Sequence, residues 1–268
     1  MVKFGNFIGS NNNLTIVEQK GIFTVIRHEL DLSVSPSSAS AAYYMSQMGC
    51  CKKQIFVTLK DNAIRLAPGA MQFMTGNIQQ TTGITGVADL AGKFLKSKVT
   101  GDNMVKPVYK GSGYIMTEPT WYYPIIEDVS SWGGLVCDDD MFICCDDEVK
   151  DKVQARSNLS SALAGGEGLF NLLLTGNGFA CLKSLCPREE LYEIQLENDC
   201  IKIDGNNAVC WSSSLEFTVE RSGKSLLGSA ASGEGLVNVY RGTGKILMAP
   251  HKILNNSNSV VTTITKSV

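Results

Sequence analysis

Catalysis at neutral pH needs a base, a nucleophile or a metal-ligand set, and this chain offers few residues for any of them. Its 268 residues include two histidines, His28 and His251, and nine cysteines. His28 stands between Arg27 and Glu29, and His251 follows Pro250. Neither belongs to a recognisable nucleophile–base arrangement, so both read as surface histidines. Zinc would need more clustered Cys and His. Cys50-Cys51 and Cys144-Cys145 are adjacent pairs. Neighbours on a strand point to opposite faces, which suits neither a shared metal nor a disulfide, so most cysteines read as small core residues. Asp138-Asp139-Asp140 and Asp146-Asp147-Glu148 could hold calcium. From Asp138, however, Phe142 and Ile143 fall where such a loop needs an oxygen ligand and a glycine, so solvated strand-end turns are expected. Gly223-Lys224-Ser225 resembles the end of a phosphate loop, but Thr218 stands where its first glycine should be. No catalytic, cofactor-binding or metal-ligating residue is therefore assigned, and a non-catalytic binding or scaffold protein is expected.

The elements that would position any site come from repetition. Gly-x-Gly occurs at Gly111-Ser112-Gly113, Gly176-Asn177-Gly178 and Gly242-Thr243-Gly244, at spacings of 65 and 66 residues. Gly166-Glu167-Gly168-Leu169 and Gly233-Glu234-Gly235-Leu236 precede the second and third copies. Acidic turns at Asp138 and Asp204 hold the same period. Two glycines around one residue permit a tight reversal between strands, so a turn is expected at each copy. A phosphate cradle would need a helix after the loop, whereas Lys245-Ile246-Leu247-Met248 is strand-like.

Tyr192, Ile194 and Leu196 alternate with polar residues, as do Ile201 and Ile203, Val209 and Trp211, and Leu215, Phe217 and Val219. This is the period of half-buried strands. Glu197-Asn198-Asp199 and Asp204-Gly205-Asn206-Asn207 read as turns between them. Helix is expected over Val87–Lys98, amphipathic with Lys93 and Lys96 off its apolar face, and again after Pro36, capped by Ser37 or Ser38 and ended by Gly49. Gly9–Asn13 and the tail from Asn255 are expected to fray. The divisions are 1–119, a first β unit with an N-terminal extension and helical insert; 120–184, a second; 185–252, a third; and 253–268, a tail. The all-β class with one or two short helices follows.

Net charge is -2 and the pI is near 5.8, which gives no general pull toward nucleic acid or an anionic membrane. Residues 1–134 hold 12 Lys+Arg against 9 Asp+Glu, and the remainder 12 against 17. This asymmetry is either a solvated surface or an attraction between the ends of neighbouring subunits. No run of about 18 apolar residues is present. The N-terminus lacks the apolar core of an export signal, so an odd cysteine count points to a reducing, cytoplasmic setting.

Leu66-Ala67-Pro68-Gly69-Ala70-Met71-Gln72-Phe73-Met74-Thr75-Gly76-Asn77 resembles the Gly-Ala-Met signature of the altered-inheritance-of-mitochondria protein 24 family, also called domain of unknown function 124. The two Gly-Glu-Gly-Leu phrases, each leading to a Gly-x-Gly, are similar to that family as well. The resemblance covers about Gln54 to Pro250, and the first 50 residues are like a longer bacterial variety. It implies three fused copies of the short double-stranded β-helix of the tryptophan RNA-binding attenuation protein (TRAP), a homotrimer forming a nine-unit ring, and no catalytic residues. Its eukaryotic relatives are associated with mitochondrial inner-membrane organisation, a role not carried over to a chain without a transit-like segment. The function expected is an oligomeric scaffold or protein-interaction protein. The alternative is small-ligand or RNA binding at grooves between units. RNA is disfavoured because Lys110 and Arg241 precede two Gly-x-Gly turns whereas Thr175 precedes the other, and because the second half is acidic.

Overall fold

The protein is described from a computed structural model over residues 2–82, 106–155, 170–221 and 236–250. The helix expected over Val87–Lys98, the Gly-Glu-Gly-Leu phrases before Leu236, Gly223-Lys224-Ser225, His251 and the tail 253–268 lie outside these residues. The regular structure described is strand, apart from one short α-helix and four 3-10 turns.

The N-terminal extension forms a hairpin, β1 (Leu14–Lys20) and β2 (Phe23–His28), followed by a 3-10 turn at Pro36–Ser38 and helix α1 (Ala39–Gln47). Proline fits the first position of that turn because the missing N–H would be unsatisfied there. Ser38 occupies the N-cap but makes no side-chain capping bond, and Gly49 ends the helix at φ +72°. The end of the Gly9–Asn13 segment is anchored through Asn13. The Asn13 amide donates to Leu30 O at 2.9 Å, and its carbonyl accepts the Leu30 N–H at 2.8 Å.

Three sets of long bent strands follow. β3 (Lys53–Leu66), β4 (Met71–Thr81) and β5 (Val108–Thr117) pair in the order β3-β5-β4. In the next set the bends break each strand in two: β6 (Tyr123–Asp128) with β7 (Leu135–Asp138), β8 (Phe142–Asp146) with β9 (Lys150–Ala155), and β10 (Phe170–Thr175) with β11 (Phe179–Ser184). Again the last lies between the other two: β11 pairs with β6 and β8, and β10 with β7 and β9. The last set is β12 (Tyr192–Asp204), β13 (Ala208–Ser212) with β14 (Glu216–Arg221), and β15 (Leu236–Met248). β15 lies between β12 and the β13–β14 pair.

The Gly-x-Gly phrases are not reversals. Gly111 and Gly113 lie inside β5, and Gly242 and Gly244 inside β15. Gly176–Gly178 is the corner at which the chain leaves β10 in one sheet for β11 in the other. A Cβ on Gly113 would collide with the Thr75 carbonyl on neighbouring β4, so close backbone approach selects glycine there. Glu197-Asn198-Asp199 is likewise no turn. β12 runs through it with a register shift and Asn198 at φ 52°, matching Asp61 at φ 58° in β3.

The strands make two sheets. One is eight-stranded, ordered β1-β2-β3-β8-β11-β6, with β5 on β3 and β4 on β5. The other is seven-stranded, ordered β12-β15-β13-β7-β10-β9, with β14 on β15. The middle set therefore contributes half of each strand to each sheet. Adjacent Cys144 and Cys145 show the consequence. Both are fully buried, but Cys144 packs with Ile64 and Ile115 in one core, and Cys145 with Leu172 and Leu135 in another. All nine cysteines are free, and only Cys50 and Cys200 are exposed.

Candidate functional site

A cleft of about 380 Å³ with convergent polar groups lies between α1 and the ends of β2 and β3. It arises because β2 extends the first sheet beside β3, and the following segment folds back over that edge. His28 ends β2. Its Nε2 lies 2.6 Å from Gln54 Oε1, so Nε2 carries the proton. The Gln54 amide nitrogen donates to Thr117 O at 2.7 Å and to Gln72 Oε1 at 2.9 Å. This chain of polar groups is half-buried at His28 and buried at Gln54. His28 is thus a cleft residue, not the surface histidine expected. Its partner lies on another strand, a placement that residue spacing cannot reveal.

An ion pair, Lys52 with Asp31, lines the cleft as well. The Lys52 ammonium donating to Asp31 holds that carboxyl below its ordinary range. Behind it, Lys53 is buried, 3% exposed, and donates to Cys51 O at 2.7 Å. Its Nζ sits 3.7 Å from the centre of the Tyr123 ring. Burial lowers the Lys53 pKa, and it pushes the Tyr123 phenol up to about 12. Trp121 and Met45 form the apolar rim. No residue of α1 is buried, and Tyr44 and Met48 are 68% and 78% exposed. A second cleft of about 240 Å³ is lined by Ala67, Gly69 and Ala70 of the Gly-Ala-Met phrase, with Thr117, Glu118 and Lys183.

The acidic phrases separate rather than converge. Asp139 pairs with Lys106 at 3.0 Å, and Asp147 with Arg65 at 3.0 Å. Asp146 does not sit in a solvated turn. It accepts the Phe179 N–H at 2.7 Å, and burial pushes its carboxyl up. Among the described residues no group of three or more His, Cys, Asp or Glu could hold a metal ion. Arg241 pairs with Glu220 at 2.8 Å and donates to Thr218 at 3.0 Å. Among the described residues no helix is long and apolar enough to cross a membrane.

The chain is 26% identical over 191 residues to an uncharacterised protein of Streptococcus pyogenes serotype M6, covering 69% of this chain and 75% of that relative. Its fold matches the crystal structure of another Streptococcus pyogenes protein with a TM-score of 0.60 at 20% identity, over 95% of this chain and 99% of that one. The sequence pattern of one family matches residues 47–251, which takes in all three strand sets and leaves out β1, β2 and most of α1. The chain belongs to the mitochondrial biogenesis AIM24 family.

Proposed function

We propose that this protein is a self-associating scaffold without catalytic activity, built of three TRAP-like units in one chain and assembled as a homotrimer. One observation carries the reading: the strand sets are joined by the same junction twice. The outer edge of β3 pairs with β8, Ile64 opposite Asp146 and Leu66 opposite Cys144. The outer edge of β7 pairs with β13, Leu135 opposite Ser212 and Cys137 opposite Cys210. Each time, the second half of a set's first strand meets the beginning of the next set's second strand. A unit that adds to its neighbour in this head-to-tail way builds a ring where its rotation closes. Nine free thiols, seven of them buried, fit a reducing cytoplasmic setting. Light scattering tests the assembly: a trimer weighs about 87 kDa, three times the 29.0 kDa chain. A 29.0 kDa species at micromolar concentration contradicts it.

A small-ligand site is the second reading, favoured by the His28–Gln54–Gln72 chain at the base of the cleft between α1 and β2. Convergent polar groups in a concave, partly apolar cavity are what ligand sites share. Native mass spectrometry of the purified protein tests it: a retained small molecule that His28→Ala loses supports the reading, and a bare chain in both opposes it. RNA finds less support, since Arg241 is already paired with Glu220.

A further inference from the structure

We infer that Ile201–Ile203 in β12 pairs antiparallel with Phe73–Thr75 in β4 of a second copy of this chain. Ile201 lies opposite Thr75, Lys202 opposite Met74, and Ile203 opposite Phe73. The inference deepens the self-association proposed above by naming its two edges and their register.

The register follows from the two junctions inside the chain. Each third strand fixes the equivalences, since Gly111, Gly176 and Gly242 hold the same place in it. One residue before that glycine's neighbour, Tyr109 pairs with Ile64, Leu174 with Leu135, and Tyr240 with Ile201. Ile64, Leu135 and Ile201 are therefore equivalent, as are Leu66, Cys137 and Ile203. On the receiving strands, Ile115 pairs with Met74, Ala180 with Cys145, and Ile246 with Trp211. Met74, Cys145 and Trp211 are therefore equivalent. Inside the chain, Arg65 meets Cys145 and Val136 meets Trp211. The third such pair is Lys202 with Met74, which no strand pairing among the described residues makes. Among the described residues the only strand that β12 pairs with is β15, and the only one β4 pairs with is β5.

Burial supports the same assignment. Cys145 is 0% and Trp211 4% exposed, whereas Met74 is 40% exposed. Ile64 and Leu135 are fully buried, and Ile201 is only half-buried. Apolar residues are thus kept where a neighbouring strand would cover them. Thr75 Oγ1, at the same edge, is buried without a hydrogen-bond partner among the described residues. At the equivalent places Asp146 accepts from Phe179 N–H and Ser212 from Lys245 N–H. Unpaired strand edges are templates for addition of another chain, and an antiparallel edge pair satisfies both.

The test is cysteine cross-linking of the full chain, with exposed Cys50 and Cys200 first replaced by serine. Directly opposed residues on paired strands lie about 4.5–5.5 Å apart between Cα atoms, within reach of a disulfide. Lys202→Cys with Met74→Cys should give reducible, covalently linked multimers on mild oxidation. Either single variant, and Lys202→Cys with Gln80→Cys, should not. Light scattering on the reduced protein separates the two claims. A multimer that links only through another pair overturns this register and leaves the scaffold standing; a monomer overturns both. Because Lys202 and Met74 are exposed in the single chain, the variants should keep its circular dichroism spectrum, which is checked alongside.

Discussion

Lys20 donates to the Ile126 carbonyl at 2.7 Å, while Glu18 beside it accepts the Ile126 N–H at 3.1 Å. Two side chains of β1 therefore satisfy both backbone groups of one residue on the outer edge of β6. The eight-stranded sheet begins at β1 and ends at β6, so this contact all but closes it. It also blunts an edge that would otherwise be open to another strand. A charge-assisted bond contributes about 1.5–3 kcal/mol, less where partly exposed. Glu18→Ala should cost about 1 kcal/mol, lowering Tm by about 2–4 °C for a chain of this size. Thermal unfolding by circular dichroism checks this, and an unchanged Tm would show that the bridge is ornamental.

Gly113 and Gly49 both have positive φ, at 155° and 72°, but only Gly113 faces a backbone wall. Gly49→Ala has open space and should cost about 1 kcal/mol from its left-handed conformation alone. Gly113→Ala must push β4 away from β5 and should cost about 3 kcal/mol or more. Denaturant midpoints of the two variants should differ accordingly; equal losses would contradict the close approach.

Arg65 spans the first junction. It donates to Val149 O at 2.8 Å, to Asp151 at 2.9 Å and to Asp147 at 3.0 Å, and its side chain is 15% exposed. Arg65→Ala should destabilise by about 2 kcal/mol, the worth of hydrogen bonds to charged groups that are partly buried. Urea unfolding measures it, with Lys60→Ala, an exposed lysine outside the junctions and the proposed interface, as the comparison.

Asp146 predicts a pH effect of definite sign. Burial raises its folded pKa above the unfolded 3.8, so between those values the folded state binds more protons. Its contribution to stability is most favourable at low pH and is lost as pH rises through the folded pKa. Asp146→Asn keeps an oxygen for the Phe179 N–H and removes the titration. The stability of wild type relative to this variant should fall as pH rises from 3.8, read by unfolding at a series of pH values. Asp31 and Asp128, lowered by Lys52 and by Ser130 respectively, act in the opposite sense in both proteins and cancel in the comparison.

The sequence carried the strand character and the places of the glycine pairs, because alternation and spacing are local. Ile194, Ile203, Val209 and Phe217 all lie in strands as their period requires. It misled on what the glycines do. A Gly-x-Gly flanked on both sides by alternating apolar residues marks a bent strand pressed by a neighbour, and Thr75, the residue that presses on Gly113, is remote in sequence. Asn198 misled for the same reason: it looks like a turn residue and serves as a bulge. The cleft was not legible at all. Gln54 lies 26 residues from His28 and 63 from Thr117, and no spacing rule connects them. His28 sitting next to Gln54 depends on β2 pairing with β3, which only the register of Ile26 with Gln54 reveals.

Reversing one charge relation should control assembly. Lys202 of one copy lies opposite Met74 of the next, so Met74→Lys sets two ammonium groups on neighbouring strands, and Met74→Glu sets an opposite pair. Directly opposed like charges destabilise a pair of strands, and opposite charges stabilise it by about 0.2–1 kcal/mol. Sedimentation should show Met74→Lys dissociating at a higher concentration than wild type and Met74→Glu remaining associated. Equal behaviour would place Met74 away from Lys202.

Hydrogen exchange on the unmodified protein tests the central claim most directly. Within one chain the outer edges of Phe73–Thr75 and Ile201–Ile203 have no strand beside them among the described residues. If they pair between copies, peptides covering 71–76 and 199–204 exchange slowly at micromolar protein and lose that protection together on dilution. Fast exchange in both at every concentration, like that of an open edge, would contradict the account.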